Sequence, residues 1–356
     1  RHLTRARLTG AFEDYAAAQG ALDRAFALAP AGAGPHLTQA ALAFTVHRLA
    51  AAERALDAID RYAVAPEVGA RAEAAALRGD IAFYRSDLER AEAFYRQAEA
   101  LEGGAATAFR RAVLLSKTGR TAEAERFFEA AVRASSSPTA QFRANVELQK
   151  GVLWLERGQW DRALTFFRRA DAMFPGHYVI EEHIAETLAL KGETAEAERI
   201  YADVVRRTGH PEFMDALADL AEGRGDAPAA AAWRARARQA WESRLALLPE
   251  AAYGHALDHF LAAGDAGRAL QIARANHAAR PYGEAKVALA EALLAAGQVA
   301  AARVAIEEVL KTPWQTADLH AVAARIYAAA GEPRRAARER ARALAINPHA
   351  LDDRLE

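Results

Sequence analysis

The stretch Gly158–Ala170, GQWDRALTFFRRA, carries four fixed points: Gly158, Ala163, Phe167 and Ala170. A glycine five residues ahead of a small residue, with an aromatic four residues further on, reads as a turn that opens a helix with one close-packing face. The same text recurs at Gly119, Ala124, Phe128 and Ala131, and again at Gly192, Ala197, Tyr201 and Val204. Weaker copies begin at Gly225, Gly264, Gly297 and Gly331, while Ala18, Ala52 and Ala91 hold the register upstream without the turn glycine. The anchors Ala18, Ala52, Ala91, Ala124, Ala163, Ala197, Ala230, Ala269, Ala302 and Ala336 are spaced by 34, 39, 33, 39, 34, 33, 39, 33 and 34 residues. A period of 33–34 with insertions of five or six belongs to a stack of helix pairs.

Twelve residues before the anchors stand Gly79, Ala112, Gly151, Ala185, Ala218, Ala290 and Ala324, and twelve after them Pro30, Pro175, Pro281 and Pro348. Small residues let two antiparallel helices approach, the large residue four beyond the anchor fills the gap, and Pro ends the second helix. Leu257, Arg234 and Arg340 depart from that pattern. In these positions the chain resembles the tetratricopeptide repeat family. The resemblance implies an all-α fold, a right-handed superhelical solenoid of ten helix-turn-helix repeats in one domain over residues 1–356. The repeats run at roughly 1–32, 33–71, 72–104, 105–143, 144–177, 178–210, 211–249, 250–282, 283–316 and 317–349, with a short C-terminal cap at 350–356. Of the insertions, Tyr62–Pro66 and Ser135–Pro138 read as longer turns. The unbroken run from about Ala229 to Leu248 reads as one lengthened helix.

With 46 basic against 47 acidic side chains, the net charge of -1 opposes general affinity for nucleic acid or anionic membrane. Roughly a quarter of the residues are Ala, which favours helix. The absence of Cys removes disulfides, thiolate metal sites and a cysteine nucleophile. The most Ala-rich stretch, 287–306, is broken by Glu291 and Arg303, so membrane insertion is not expected. The composition reads as that of a bacterial chain, cytoplasmic or periplasmic. The first residue, Arg1, leaves open a removed upstream segment.

Catalytic signatures are missing. No Lys follows a Gly as a phosphate loop would require, Pro228 stands where the dinucleotide loop begun at Gly223 and Gly225 needs its third glycine, and no Gly-x-Ser-x-Gly elbow occurs. His255 and His259 share a helical face, but Ala256 follows the first His where a zinc protease places its Glu. His183 with Glu186 is a weaker pairing. The expectation is no enzyme, no cofactor and no metal, with a metal-dependent hydrolase at His255 and His259 as the least favoured alternative.

The family resemblance implies that residues 18, 15, 11, 8 and 7 before each anchor line a concave groove. This rule selects Glu182, Glu186, Glu212, Asp215, Asp219, Glu222, Asp258, Glu284 and Glu291 as an acidic half. The run Glu212, Asp215, Asp219, Glu222 makes one stripe of like charge, costing about 0.2–0.5 kcal/mol per neighbouring pair. Either Arg from a neighbouring repeat and solvent balance it, or a cationic partner does. In the earlier repeats the rule selects an apolar set, Phe44, Phe83, Tyr84, Phe109, Leu148 and Leu155, interrupted by Asp80, Lys117 and Glu156; at such spacing core packing is the competing reading. The Lys and Asn with which some family members grip acidic chaperone tails are replaced by Leu37 and Ala41, Ala76 and Asp80, and Phe109 and Val113. The expected function is a non-enzymatic scaffold binding an extended, basic segment of a protein partner. The alternative is a structural solenoid that self-associates through its terminal repeats.

Overall fold

A computed structural model describes residues 1–30, 32–135 and 138–352. The described residues form helices joined by turns, in ten successive pairs: α1 (His2–Thr9) and α2 (Glu13–Leu28); α3 (His36–Thr45) and α4 (Leu49–Asp60); α5 (Val68–Tyr84) and α6 (Leu88–Leu101); α7 (Ala105–Lys117) and α8 (Thr121–Ala134); α9 (Ala140–Leu155) and α10 (Trp160–Met173); α11 (Tyr178–Leu190) and α12 (Thr194–Thr208); α13 (Pro211–Gly223) and α14 (Ala227–Leu247); α15 (Pro249–Ala262) and α16 (Ala266–Ala279); α17 (Gly283–Ala295) and α18 (Val299–Leu310); α19 (Ala317–Ala329) and α20 (Pro333–Ile346). The all-helical solenoid of paired helices expected from the repeat is therefore present. The run near 229–248 is one 21-residue helix, α14. Beyond α20, residues 350 and 351 form a turn and 352 a bend, and the remainder of the expected cap, 353–356, lies outside the described residues, as do Ser136 and Ser137 of the second insertion. None of the described helices is long and apolar enough to cross a membrane.

The register is visible in burial. The anchors from Ala52 to Ala302 are at most 2% exposed, and Ala18 is 7% exposed. Ala336, on the last described helix, is the one anchor that is half-buried. Opposite the anchors, Ala6, Ala40, Ala112, Ala185, Ala218 and Ala290 are fully buried. A Cβ on Gly79 would fall within the ring of Tyr95, and one on Gly151 within that of Phe167. These pairs close to a separation that only glycine permits. Leu257, where the pattern wants a small residue, is accommodated at 1% exposure.

Each pair is joined by a tight turn whose αL residue is Gly119, Gly158, Gly192, Gly225, Gly264, Gly297 or Gly331 in the later repeats, with φ between 67° and 82°. By packing, the chain divides into two compact units. Unit 1 comprises Arg1–Leu114, Glu123–Ser137 and Ala279–Tyr282; unit 2 comprises Leu115–Ala122, Pro138–Ala278 and Gly283–Glu356.

Candidate functional site

Within unit 2 the first helices of successive pairs lie side by side, α13 against α15, α15 against α17 and α17 against α19. This places Glu212, Asp258, Glu284 and Glu291 on one face, joined by Asp318 from α19. Asp318 stands 18 residues before Ala336 and so obeys the groove rule; applying the rule to the tenth repeat finds it, together with Arg325 eleven before the anchor. Burial, with like charge from Glu212, Glu291 and Asp318, pushes the Asp258 carboxyl up to about 7 against the help of His255. Asp318 is pushed to about 7 by burial and by Glu291 and Glu284, against Arg325 and Lys117. Both residues are exposed, so the cause is neither a sealed cavity nor a side chain shut away from water. It is a face crowded by protein and carboxylates, where water screens each charge incompletely. Among the described residues neither Asp258 nor Asp318 has a hydrogen bond or ion pair.

The other predicted carboxylates have partners of their own. Asp215 accepts from Trp241 Nε1 at 2.9 Å, and its second oxygen lies 2.7 Å from His259 Nδ1. Asp219 and Glu222 both pair with Arg234. Arg234 occupies the position four beyond the anchor where an aromatic is usual, so one departure from the repeat pattern pairs with two of the four carboxylates of the stripe and offsets one of their charges. Glu291 pairs with Arg325. Glu284 and Glu156 lie 2.5 and 2.6 Å from Lys117 Nζ. Burial would lower the Lys117 ammonium, but these two carboxylates raise it above the usual lysine range. The two histidines of α15 are engaged separately, His259 by Asp215 and His255 by Glu212 at 3.0 Å. Burial pushes Glu212 up, but His255, with smaller help from His210 and His183, holds the carboxyl below the usual range.

At the other end of the file Glu182, His183 and Glu186 bring their ligating atoms within 4.8 Å of one another. His183 Nδ1 lies 2.9 Å from Glu182 and 3.2 Å from Glu186, and its ring stacks on Phe167. Burial alone would lower His183, but the paired carboxylates raise it well above its ordinary value. A proton therefore sits where these three groups could otherwise hold a cation. A cavity of about 630 Å3 adjoins Asp318, lined also by Lys117, Glu156, Glu284, Arg325 and Arg340.

The predicted apolar set is placed differently. Phe83, Leu148 and Leu155 are at most 8% exposed, while Phe44, Tyr84 and Phe109 are half-buried. Phe109 packs edge-on against Phe128 of its own repeat at 5.7 Å, and Leu148 lines a cavity of about 270 Å3 in unit 2. In unit 1 Phe44 meets Tyr84 at 5.5 Å, and Tyr84 meets Tyr282, a residue of the short 279–282 segment, at 4.7 Å. Part of the aromatic surface is thus already occupied by the chain itself. Asp80, which interrupts the set, accepts from Tyr95 Oη and Arg110 Nε at 2.9 and 2.8 Å.

The family model for tetratricopeptide repeats matches residues 155–220. Comparison with curated protein sequences finds no match. Among solved structures, a tetratricopeptide repeat protein from Parabacteroides merdae is 19% identical with a TM-score of 0.41, the alignment covering 68% of this chain and 93% of that one. Yeast Tom70 is 16% identical with a TM-score of 0.48, covering 83% and 60%. Pseudomonas aeruginosa PilF is 17% identical with a TM-score of 0.45, covering 64% and 94%. The repeat fold is in general that of a protein-interaction scaffold. Residues 155–220 thus match the tetratricopeptide repeat, and the other helix pairs share the register of that stretch.

Proposed function

We propose that the acidic face of unit 2 holds an extended, Lys- and Arg-bearing segment of a protein partner. One observation carries the reading: Asp258 and Asp318, on α15 and α19, have no partner among the described residues, and crowding drives both carboxyls to about 7. Helix stability and packing gain nothing from that arrangement, whereas a cation laid along the file would relieve both groups at once. Internal pairing of Asp219 and Glu222 with Arg234, of Asp215 with Trp241 and His259, of Glu212 with His255, of Glu284 with Lys117 and of Glu291 with Arg325 narrows the unmet charge to Asp258 and Asp318. Recognition of this kind sets rate and specificity more than affinity.

The test is fluorescence anisotropy with a labelled peptide of alternating Lys and Ala, against its Glu-Ala counterpart. The basic peptide is expected to bind, to weaken as salt is raised, and to lose about tenfold in affinity in Asp258→Asn/Asp318→Asn. Equal binding of the two peptides, or binding indifferent to salt, would overturn the reading. A second reading, self-association through the last pair, draws on half-buried Ala336 and on Leu344, which is 38% exposed. Light scattering at two protein concentrations tests it, and a constant mass removes it.

A further inference from the structure

The αL position of the inter-helix turn is glycine in the seven later repeats but His47 in the second and Ser86 in the third, at φ 60° and 62°. Both occupy the same place in the turn as the glycines: His47 N–H bonds Phe44 O while Arg48 N–H bonds Ala43 O, and Ser86 N–H bonds Phe83 O while Asp87 N–H bonds Ala82 O. A side chain is disfavoured at such φ, and a conformation of this sort persists where something else in the structure rewards it. Here both side chains reach the same short segment of unit 1. Arg280 Nη1 lies 2.9 Å from His47 Nε2, and Ser86 Oγ donates to Pro281 O at 2.8 Å. The Arg280 guanidinium is buried, 6% exposed, over the rings of Tyr84 and Tyr282 at 5.8 and 5.4 Å. Tyr282 itself closes onto Tyr84 and Phe83. For an Arg donor to face His47 Nε2, that nitrogen must be unprotonated and accepting.

We propose that His47 and Ser86, with Phe83 and Tyr84, form a docking site for an Arg-Pro-aromatic segment, filled in this protein by its own Arg280–Pro281–Tyr282. Filling it masks the aromatic surface of α3 and α5, so an apolar partner reaches Phe83 and Tyr84 only after the segment leaves. The inference does not rest on the basic-partner reading, which concerns residues of unit 2 alone.

Hydrogen–deuterium exchange on the full chain tests it through the double variant His47→Gly/Ser86→Gly. Glycine relieves the positive φ, so a purely structural turn gains stability and leaves the distant segment untouched. The docking site instead predicts exchange about tenfold faster or more at 282–284, with α10 and α12 unchanged. Arg280→Ala, approached from the other partner, should accelerate exchange at 83–86 and raise binding of an apolar dye. Unchanged exchange at 282–284 in the glycine variant, or acceleration spread evenly over all helices in both variants, would overturn the assignment.

Discussion

Two surfaces selected by one register rule end differently. In unit 1 the rule selects aromatics, and the protein covers them with Arg280–Tyr282, gripped by two turn residues. In unit 2 it selects carboxylates, and the protein meets only some of them, through Arg234, Arg325, Lys117 and the α15 histidines. The difference follows from the chemistry of each surface. An apolar face is satisfied by any well-shaped apolar cover, and a nearby turn of the same chain can supply it. A row of charges needs counter-charge of matched number and reach, and a helix pair holds few positions from which a long cation can reach a neighbour's inner face. Unmet charge is thus the better pointer to a partner than exposed aromatic surface.

The comparison can be broken most forcefully at Phe83. Truncation in Phe83→Ala should destabilise by about 3 kcal/mol or more, read by denaturant melts, while leaving affinity for a basic peptide unchanged. A parallel loss of peptide affinity would mean that the two surfaces do not act separately. Gly151→Val tests the frame that both share, since its side chain must displace Phe167; a cost of about 2 kcal/mol is expected, and a neutral melt would show that the close approach is not required.

Asp258→Asn/Asp318→Asn sharpens the contrast through pH. The folded protein retains these protons up to about pH 7, whereas the unfolded chain releases them near the ordinary aspartate value. Their ionisation therefore subtracts stability progressively from about pH 4 to pH 7 and by a constant amount above. The variant should melt later than the parent at pH 8 and together with it at pH 4; an equal gain at both values would assign the effect to something other than charge. The smallest change is expected from Arg234→Gln, which frees Asp219 and Glu222. Stability should hardly move, as for other exposed pairs, and affinity for the basic peptide should rise about threefold at low salt. A loss of affinity there would place the partner's contact elsewhere.

Much of this was legible in the text of the chain. Anchor alanines bury because a helix pair closes only around small side chains, and that demand repeats with the period, so Ala163 and Gly151 announce their own packing. Asp318 and Arg325 obey the same rule as Glu284 and Glu291 and are found when it is carried to the last repeat. Arg234 is visible as a departure from pattern, but its role is not: a long side chain at one position reaches several others, and only the backbone path says which. Likewise the missing turn glycines at 47 and 86 are plain in the sequence, while the segment 195 to 233 residues away that gives them a purpose is not.

Local and near-neighbour interactions repeat every 33–34 residues, so sequence alone determined the helices, their pairing and the face each presents. Which charges are met and which aromatic surface is covered depend on contacts between residues far apart in the chain. Those contacts obey no period, and only the tertiary structure could decide them.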